Sequence, residues 1–165
     1  MWKQVGICPH WQCDDRIWHA GLSRDGTKCF VAGFDDNTYI VWDMEKNSVI
    51  WRDEGSGRAS ESLPLGEWIG PDGCIALNTG PAQGRYRIFG LNFNYAKIES
   101  LDLNQVLEVD EKEGVLSIRA RDTQAVIQEL PFDAFSGDWA FASFSDNEAV
   151  IAVVEPYSVT FFGRT

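Results

Sequence analysis

The chain predicts an all-β fold of about four short antiparallel sheets, and three observations carry that expectation. β-rich runs alternate with short turns from Leu22 to Ile50, and the turn that opens this unit is restated twice further on. Sustained helical periodicity is missing; only Phe93 to Leu107 has room for a turn or two of helix. At 165 residues the chain is long enough to bury a good core. No linker divides it, since Gly55 to Ser60 fits a surface loop, so residues 1–165 read as one domain.

The first unit is the clearest. Ser23-Arg24-Asp25-Gly26 is a turn and Lys28 to Phe34 a strand. Asp35-Asp36-Asn37 turns again into Thr38 to Asp43, and Glu45-Lys46-Asn47 turns into Ser48 to Trp51. Asp, Asn and Gly mark these turns because their side chains bond the local backbone or tolerate positive φ. The run from Leu22 to Ile50 resembles a WD-repeat blade, including the Trp42-Asp43 pair at the end of the third strand. The resemblance implies a small WD-like β-propeller, open or incomplete at this length, and such blades are platforms for partners. A typical WD repeat carries a His before its first strand that bonds the turn Asp. That position falls at Cys13, with His10 nearby, so Asp35 and Asp36 are expected to be freer to face solvent.

Two echoes follow. Trp68 to Gly73 restates the Gly21 to Gly26 turn at a spacing within the roughly 40 to 50 residues of propeller repeats. Cys74 to Thr79, Arg85 to Gly90 and Lys97 to Leu101 then read as the strands of a second blade, with Phe89-Gly90 in the place of Trp42-Asp43. Phe144 to Glu148 opens the third echo, followed by Ala149 to Val154, a Glu155-Pro156 turn and Tyr157 to Phe162. Between them, Val106 to Val109, Val115 to Ala120 and Ala125 to Leu130 make a shortened blade. Met1 to Ile7 alternates in period two and is expected to supply the outer edge of the final blade, which removes exposed sheet edges.

Charge points to the partner. Asp and Glu number 25 against 14 Lys and Arg, a net −11. Between Arg121 and Arg164 every charged residue is acidic: Asp122, Glu129, Asp133, Asp138, Asp146, Glu148 and Glu155. Such a field repels nucleic acid and anionic membranes and speeds association with a basic protein. Seven Trp in this length is high, and Trp is common material of interface hot spots. Trp18, Trp42, Trp68 and Trp139 are expected in the core, whereas Trp11 and Trp51 sit among acids and suit an exposed anchor. The expected partner site is Trp11, Asp14, Asp15, Asp35 and Asp36, with Trp11 as anchor and the acids steering and pairing.

No metal or cofactor is expected. Cys8, His10, Cys13 and His19 lack the second short-spaced pair that zinc sites use, and Cys29 and Cys74 stand alone in strands. Four free thiols, and no apolar run of signal-peptide or membrane-span length, point to a reducing cytoplasm. Nor is catalysis expected. The two His lie near the N-terminus, there is no Gly-x-Ser-x-Gly elbow, and Gly80 to Arg85 lacks the Lys-Ser/Thr of a phosphate loop. The functional expectation is therefore a protein-binding inhibitor, an immunity protein that neutralises a cognate toxin. A WD-like scaffold subunit is the alternative, and a two-carboxylate hydrolase a more distant one.

Overall fold

The computed structural model of the chain describes residues 1–13, 16–34, 38–54, 65–78 and 80–165. It is all-β, with short strands in three antiparallel sheets. The strands are β1 (Trp2–Pro9), β2 (Ile17–Ser23), β3 (Lys28–Gly33), β4 (Thr38–Asp43), β5 (Ser48–Glu54), β6 (Cys74–Leu77) and β7 (Gly84–Gly90). They continue as β8 (Glu99–Ser100), β9 (Gln105–Asp110), β10 (Val115–Ala120), β11 (Val126–Pro131), β12 (Phe141–Phe144), β13 (Val150–Glu155) and β14 (Ser158–Arg164). A single helical turn, α1 (Leu65–Trp68), and two 3₁₀ turns, His10–Cys13 and Gly80–Ala82, complete the described elements.

The repeated turns show how sequence sets local structure. In the first, the Ser23 hydroxyl donates to Asp25 Oδ1, which also accepts the Thr27 N–H, while the Lys28 N–H donates to Ser23 Oγ. The third echo repeats this scheme residue for residue. Ser145 donates to Asn147 Oδ1, which accepts the Ala149 N–H, and the Val150 N–H donates to Ser145 Oγ. The next position is left-handed in all three echoes: Gly26 at φ 70°, Gly73 at φ 80° and Glu148 at φ 61°. The second echo has Gly70 where the others have Ser and keeps only the bond from the Cys74 N–H to Asp72 Oδ1. The two complete turns also touch, since Asn147 Nδ2 donates to the Asp25 carbonyl.

Sheet alternation then sorts side chains into three cores. In β3 and β4, Cys29, Val31, Ile40 and Trp42 enter one core, and Phe30, Ala32, Tyr39 and Val41 enter another on the opposite face. The first core joins this sheet to the face of β13 and β14 that carries Ala152, Val154, Val159 and Phe161. The reverse face of those strands, with Ile151, Val153 and Phe162, packs on Leu107, Leu116, Ile118 and Leu130 of the β8–β11 sheet. The sheet of β1, β14, β13 and β12 is thus the middle layer.

The N-terminal strand takes its expected place: β1 pairs antiparallel with β14 at the outer edge of that sheet, and the Thr165 N–H donates to the Met1 carbonyl. The second echo departs from the expectation of a separate blade. β7 pairs with β2, so β6 and β7 extend the first blade into a six-stranded sheet of order β5-β4-β3-β2-β7-β6. Gly90 permits this, because a Cβ there would meet the Trp18 carbonyl oxygen at 2.3 Å. Of Lys97 to Leu101, only Glu99 and Ser100 form a strand, and it pairs with β9 in the third sheet. Phe89 still enters the same core as Trp42 and Phe161.

Candidate functional site

The β1 strand ends at Pro9, and His10–Cys13 carries the chain over from the middle sheet toward β2. This crossing is pinned at both ends. The His10 N–H donates to the Tyr157 carbonyl at 2.8 Å, and the Ile17 N–H donates to the Pro156 carbonyl at 2.7 Å. Cys13 is buried in the first core with its thiol on the His10 carbonyl, and Arg52 of β5 donates to the Gln12 carbonyl. With its neighbours so fixed, Trp11 has no place in either sheet face and stands 62% exposed.

A second aromatic reaches the same place from the β11–β12 connection. Phe132 is buried in the second core, its N–H donating to the Gly114 carbonyl. Gly114, at φ 68°, is itself required there: a Cβ would lie 2.8 Å from the Phe132 carbonyl oxygen. Held at this point, the chain turns Asp133 outward and leaves Phe135 71% exposed.

Between these segments and the β13–β14 turn lies a cleft of about 380 Å³ lined by Trp11, Phe135, Tyr157, His10 and Asp133, with Ile7, Pro9 and Ser158. His10 and Phe135 both stand nearly perpendicular to the Tyr157 ring, at centroid distances of 5.1 and 6.3 Å. His10 Nδ1 lies 3.2 Å from the Tyr157 carbonyl, which accepts its proton and holds the ring against the wall. Behind the cleft is Glu155, 1% exposed. Its Oε1 accepts the Tyr157 N–H and the Ser158 hydroxyl, while Oε2 has no hydrogen-bond partner among the described residues. Burial pushes this carboxyl up to about 7, against the hydrogen bonds from Tyr157 and Ser158, and the nearby Asp133 adds to the rise. Asp133 lines the cleft and faces water, whereas Glu155 is buried.

The cleft keeps one expected site residue and adds others. Trp11 lines it; Asp14, Asp15, Asp35 and Asp36 lie outside the described residues. Trp51, expected as an exposed aromatic, is half-buried and packs against the third core from β5, and Trp18, Trp68 and Trp139, expected in the core, are partly buried. Asp133, Phe135 and Tyr157 were not singled out as anchors by the sequence, although Phe132-Asp133-Ala134-Phe135 places an aromatic and an acid in one loop. The acidic run is less uniform in space than in sequence. Asp146 pairs with Arg87 at 2.8 Å and Glu148 with Lys97 at 3.8 Å, leaving Asp122, Glu129, Asp133 and Asp138 exposed.

Cys8, Cys13 and Cys29 are fully buried in the first core, where desolvation pushes Cys29 up to about 12. His19 is buried on β2 and accepts the Asn92 and Phe93 N–H groups at Nε2. Among the described residues no group of three or more His, Cys, Asp or Glu is arranged to hold a metal ion.

No protein-family model matches the chain, and no curated protein does. Among solved structures it is similar to the WD40 β-propeller domain of Doa1, with a TM-score of 0.34 and 18% identity, covering 90% of this chain and 51% of that one. It is also similar to the β-propeller domain of Cps50 (Swd1) from Myceliophteria thermophila, with a TM-score of 0.32 and 9% identity, covering 99% of this chain and 54% of that one. The chain spans about half the length of each of these propeller domains.

Proposed function

We propose that the chain is a protein-binding domain whose anchor site is the aromatic cleft. The observation that carries this reading is the pair Trp11 and Phe135, both more than half exposed and both lining one depression. Large aromatics left in water are costly unless something covers them, and Trp and Tyr at the centre of an interface supply much of its binding energy. The cleft sits at the lower end of ligand-pocket sizes, so it holds a side chain or two of a partner rather than a whole folded element.

Two forms of this reading differ in what binding does. A scaffold subunit holds its partner in an assembly; an inhibitor of a cognate toxin silences it, and the −11 net charge favours a basic partner in either case. Four buried cysteines support a reducing compartment as the setting. The test compares proteins retained by the wild type, by Trp11→Ala with Phe135→Ala, and by Leu101→Ala, which alters an equally exposed residue outside the cleft. A partner kept by the wild type and the control, lost by the double variant, and then reproduced with purified components supports the reading. Retention by all three places the interface elsewhere. Loss of the purified partner's own activity on binding separates the inhibitor from the scaffold.

A further inference from the structure

The lining of the cleft is more specific than a general apolar anchor site. Among the described residues that line it, His10, Trp11, Phe135 and Tyr157 contribute rings, Asp133 contributes a carboxylate, and none is Lys or Arg. Asp133 is exposed and makes no ion pair among the described residues. The buried carboxyl of Glu155 lies behind the same wall with one oxygen unpartnered. Neighbouring cations of this chain are engaged elsewhere: Arg16 lies over the Phe34 ring at 4.9 Å, and Arg52 is bonded to the Gln12 carbonyl.

We propose that the cleft receives an arginine side chain from the partner, its guanidinium against the rings of Trp11, Tyr157 and Phe135 and paired with the Asp133 carboxylate. This rests on the protein-binding reading above and names its chemistry. Aromatic faces carry negative quadrupole potential, so a cation set against them is attracted, more strongly as water is excluded. The perpendicular setting of His10 and Phe135 about Tyr157 means that the rings do not all present edges in one direction. Arginine is favoured over lysine for a definite reason. The walls offer few acceptors: the Tyr157 carbonyl already accepts both the backbone N–H and the Nδ1–H of His10, and the Ser158 hydroxyl is turned onto the buried Glu155 carboxyl. A strongly hydrated ammonium would lose its water there without replacement, whereas a planar, weakly hydrated guanidinium stacks on rings and forks onto one carboxylate.

The test is a nuclear magnetic resonance titration of the whole chain with acetyl-Gly-Arg-Gly-amide, and with the lysine and citrulline forms of the same peptide. Citrulline keeps the shape of arginine and removes its charge. The arginine peptide should move the Trp11 indole N–H and the Tyr157 ring signals, and the citrulline peptide should bind roughly tenfold more weakly. Trp11→Ala and Asp133→Asn should each weaken the arginine peptide by roughly two- to thirty-fold. Both side chains face water, so unchanged melting temperatures confirm that the fold is intact. Equal binding of citrulline and arginine, a lysine peptide that binds more tightly than arginine, or an unmoved Trp11 signal overturns the proposal. If any of these is found while the double variant still loses its partner, the cleft remains the anchor site but takes a different side chain. A partner retained by the double variant removes the binding reading itself.

Discussion

Trp2 and Cys8 lie on one strand an even number of positions apart, yet Trp2 packs with Phe144 in the second core and Cys8 enters the first. A regular strand would put both on one face. The ladder resolves this by skipping Val5: Gln4 pairs with Phe162 and Gly6 with Phe161, so the strand changes face between them. Deleting Val5 closes the ladder into regular pairs while Trp2 stays opposite Arg164 and Cys8 opposite Val159. The deletion should cost about 1 kcal/mol. Trp2→Ala, which empties a buried site and strands the Gln105 side chain that accepts its indole N–H, should cost about 3 to 5 kcal/mol. Urea denaturation of the two variants checks the contrast; an unfolded Val5 deletion would show that the bulge itself is required.

His19 and Glu155 should tilt the pH dependence of stability in opposite directions. Burial lowers His19 from 6.5 to about 4, so its contribution is full above pH 6.5 and lost as pH falls through 4. Burial raises Glu155 from 4.5 to about 7, so its contribution is full below pH 4.5 and lost as pH rises through 7. Each is about 3 kcal/mol at its limit. Between pH 4.5 and 6.5 the two slopes oppose, and the melting temperature should vary little from this pair. Glu155→Gln should gain on the wild type as pH rises across 4.5 to 7, and His19→Gln should gain as pH falls from 6.5 to 4. Melting curves of wild type and variants at matched pH give these differences, and a pH-independent difference for either variant would refute its assignment.

Gly90 should be irreplaceable while Gly80 is not. At φ 150°, a Cβ on Gly90 would meet backbone on β2, the Trp18 carbonyl oxygen at 2.3 Å and His19 Cα at 2.9 Å. Backbone in a sheet cannot step aside, so Gly90→Ala should separate β7 from β2 and lower stability by several kcal/mol, on the order of 3. Gly80, at φ 50° with nothing within 4 Å, should lose about 1 kcal/mol on the same change. Thermal denaturation decides; a Gly90→Ala protein melting within a few degrees of the wild type would contradict the β2–β7 pairing.

All four cysteines should be silent in the native state. Each is buried, and desolvation raises the Cys8, Cys29 and Cys74 thiols above their ordinary value, so little of their thiolate is present near neutral pH. A colorimetric disulfide reagent should label none within minutes at pH 8 and four after unfolding in guanidinium. Fast native labelling of Cys74, on the outlying strand β6, would mean that this edge opens readily.

The strands were legible where turn chemistry and alternation coincide. Ser23 to Lys28 and Ser145 to Val150 fold alike because Ser, Asx and a left-handed position recur at the same spacing. Met1 to Ile7 was readable as an edge strand from period-two alternation, though not the skipped Val5, since a bulge leaves no trace in residue type. The destination of β7 was hidden because the motif around Gly73 records a turn and not which sheet the next strands join. That choice is made by a close approach at Gly90 across the fold. Trp11 stood out as an aromatic in a polar loop. Phe135 and Tyr157 did not, because they meet Trp11 through three loops distant in sequence, and no periodicity encodes such a meeting.

Because Met1 and Thr165 lie at the same end of the antiparallel β1–β14 pair, joined by the bond from the Thr165 N–H to the Met1 carbonyl, the fold has a weak mechanical direction. A pull applied to the two ends loads the ladder one hydrogen bond at a time, as a zipper is loaded, instead of shearing all of them together. Under tension β1 should peel from β14 at low force, lifting Trp2 from the second core before the buried Ile151, Val153 and Phe162 beneath it give way. Handles moved to Trp2 and Ser158, at opposite ends of that pair, should meet a far stiffer molecule.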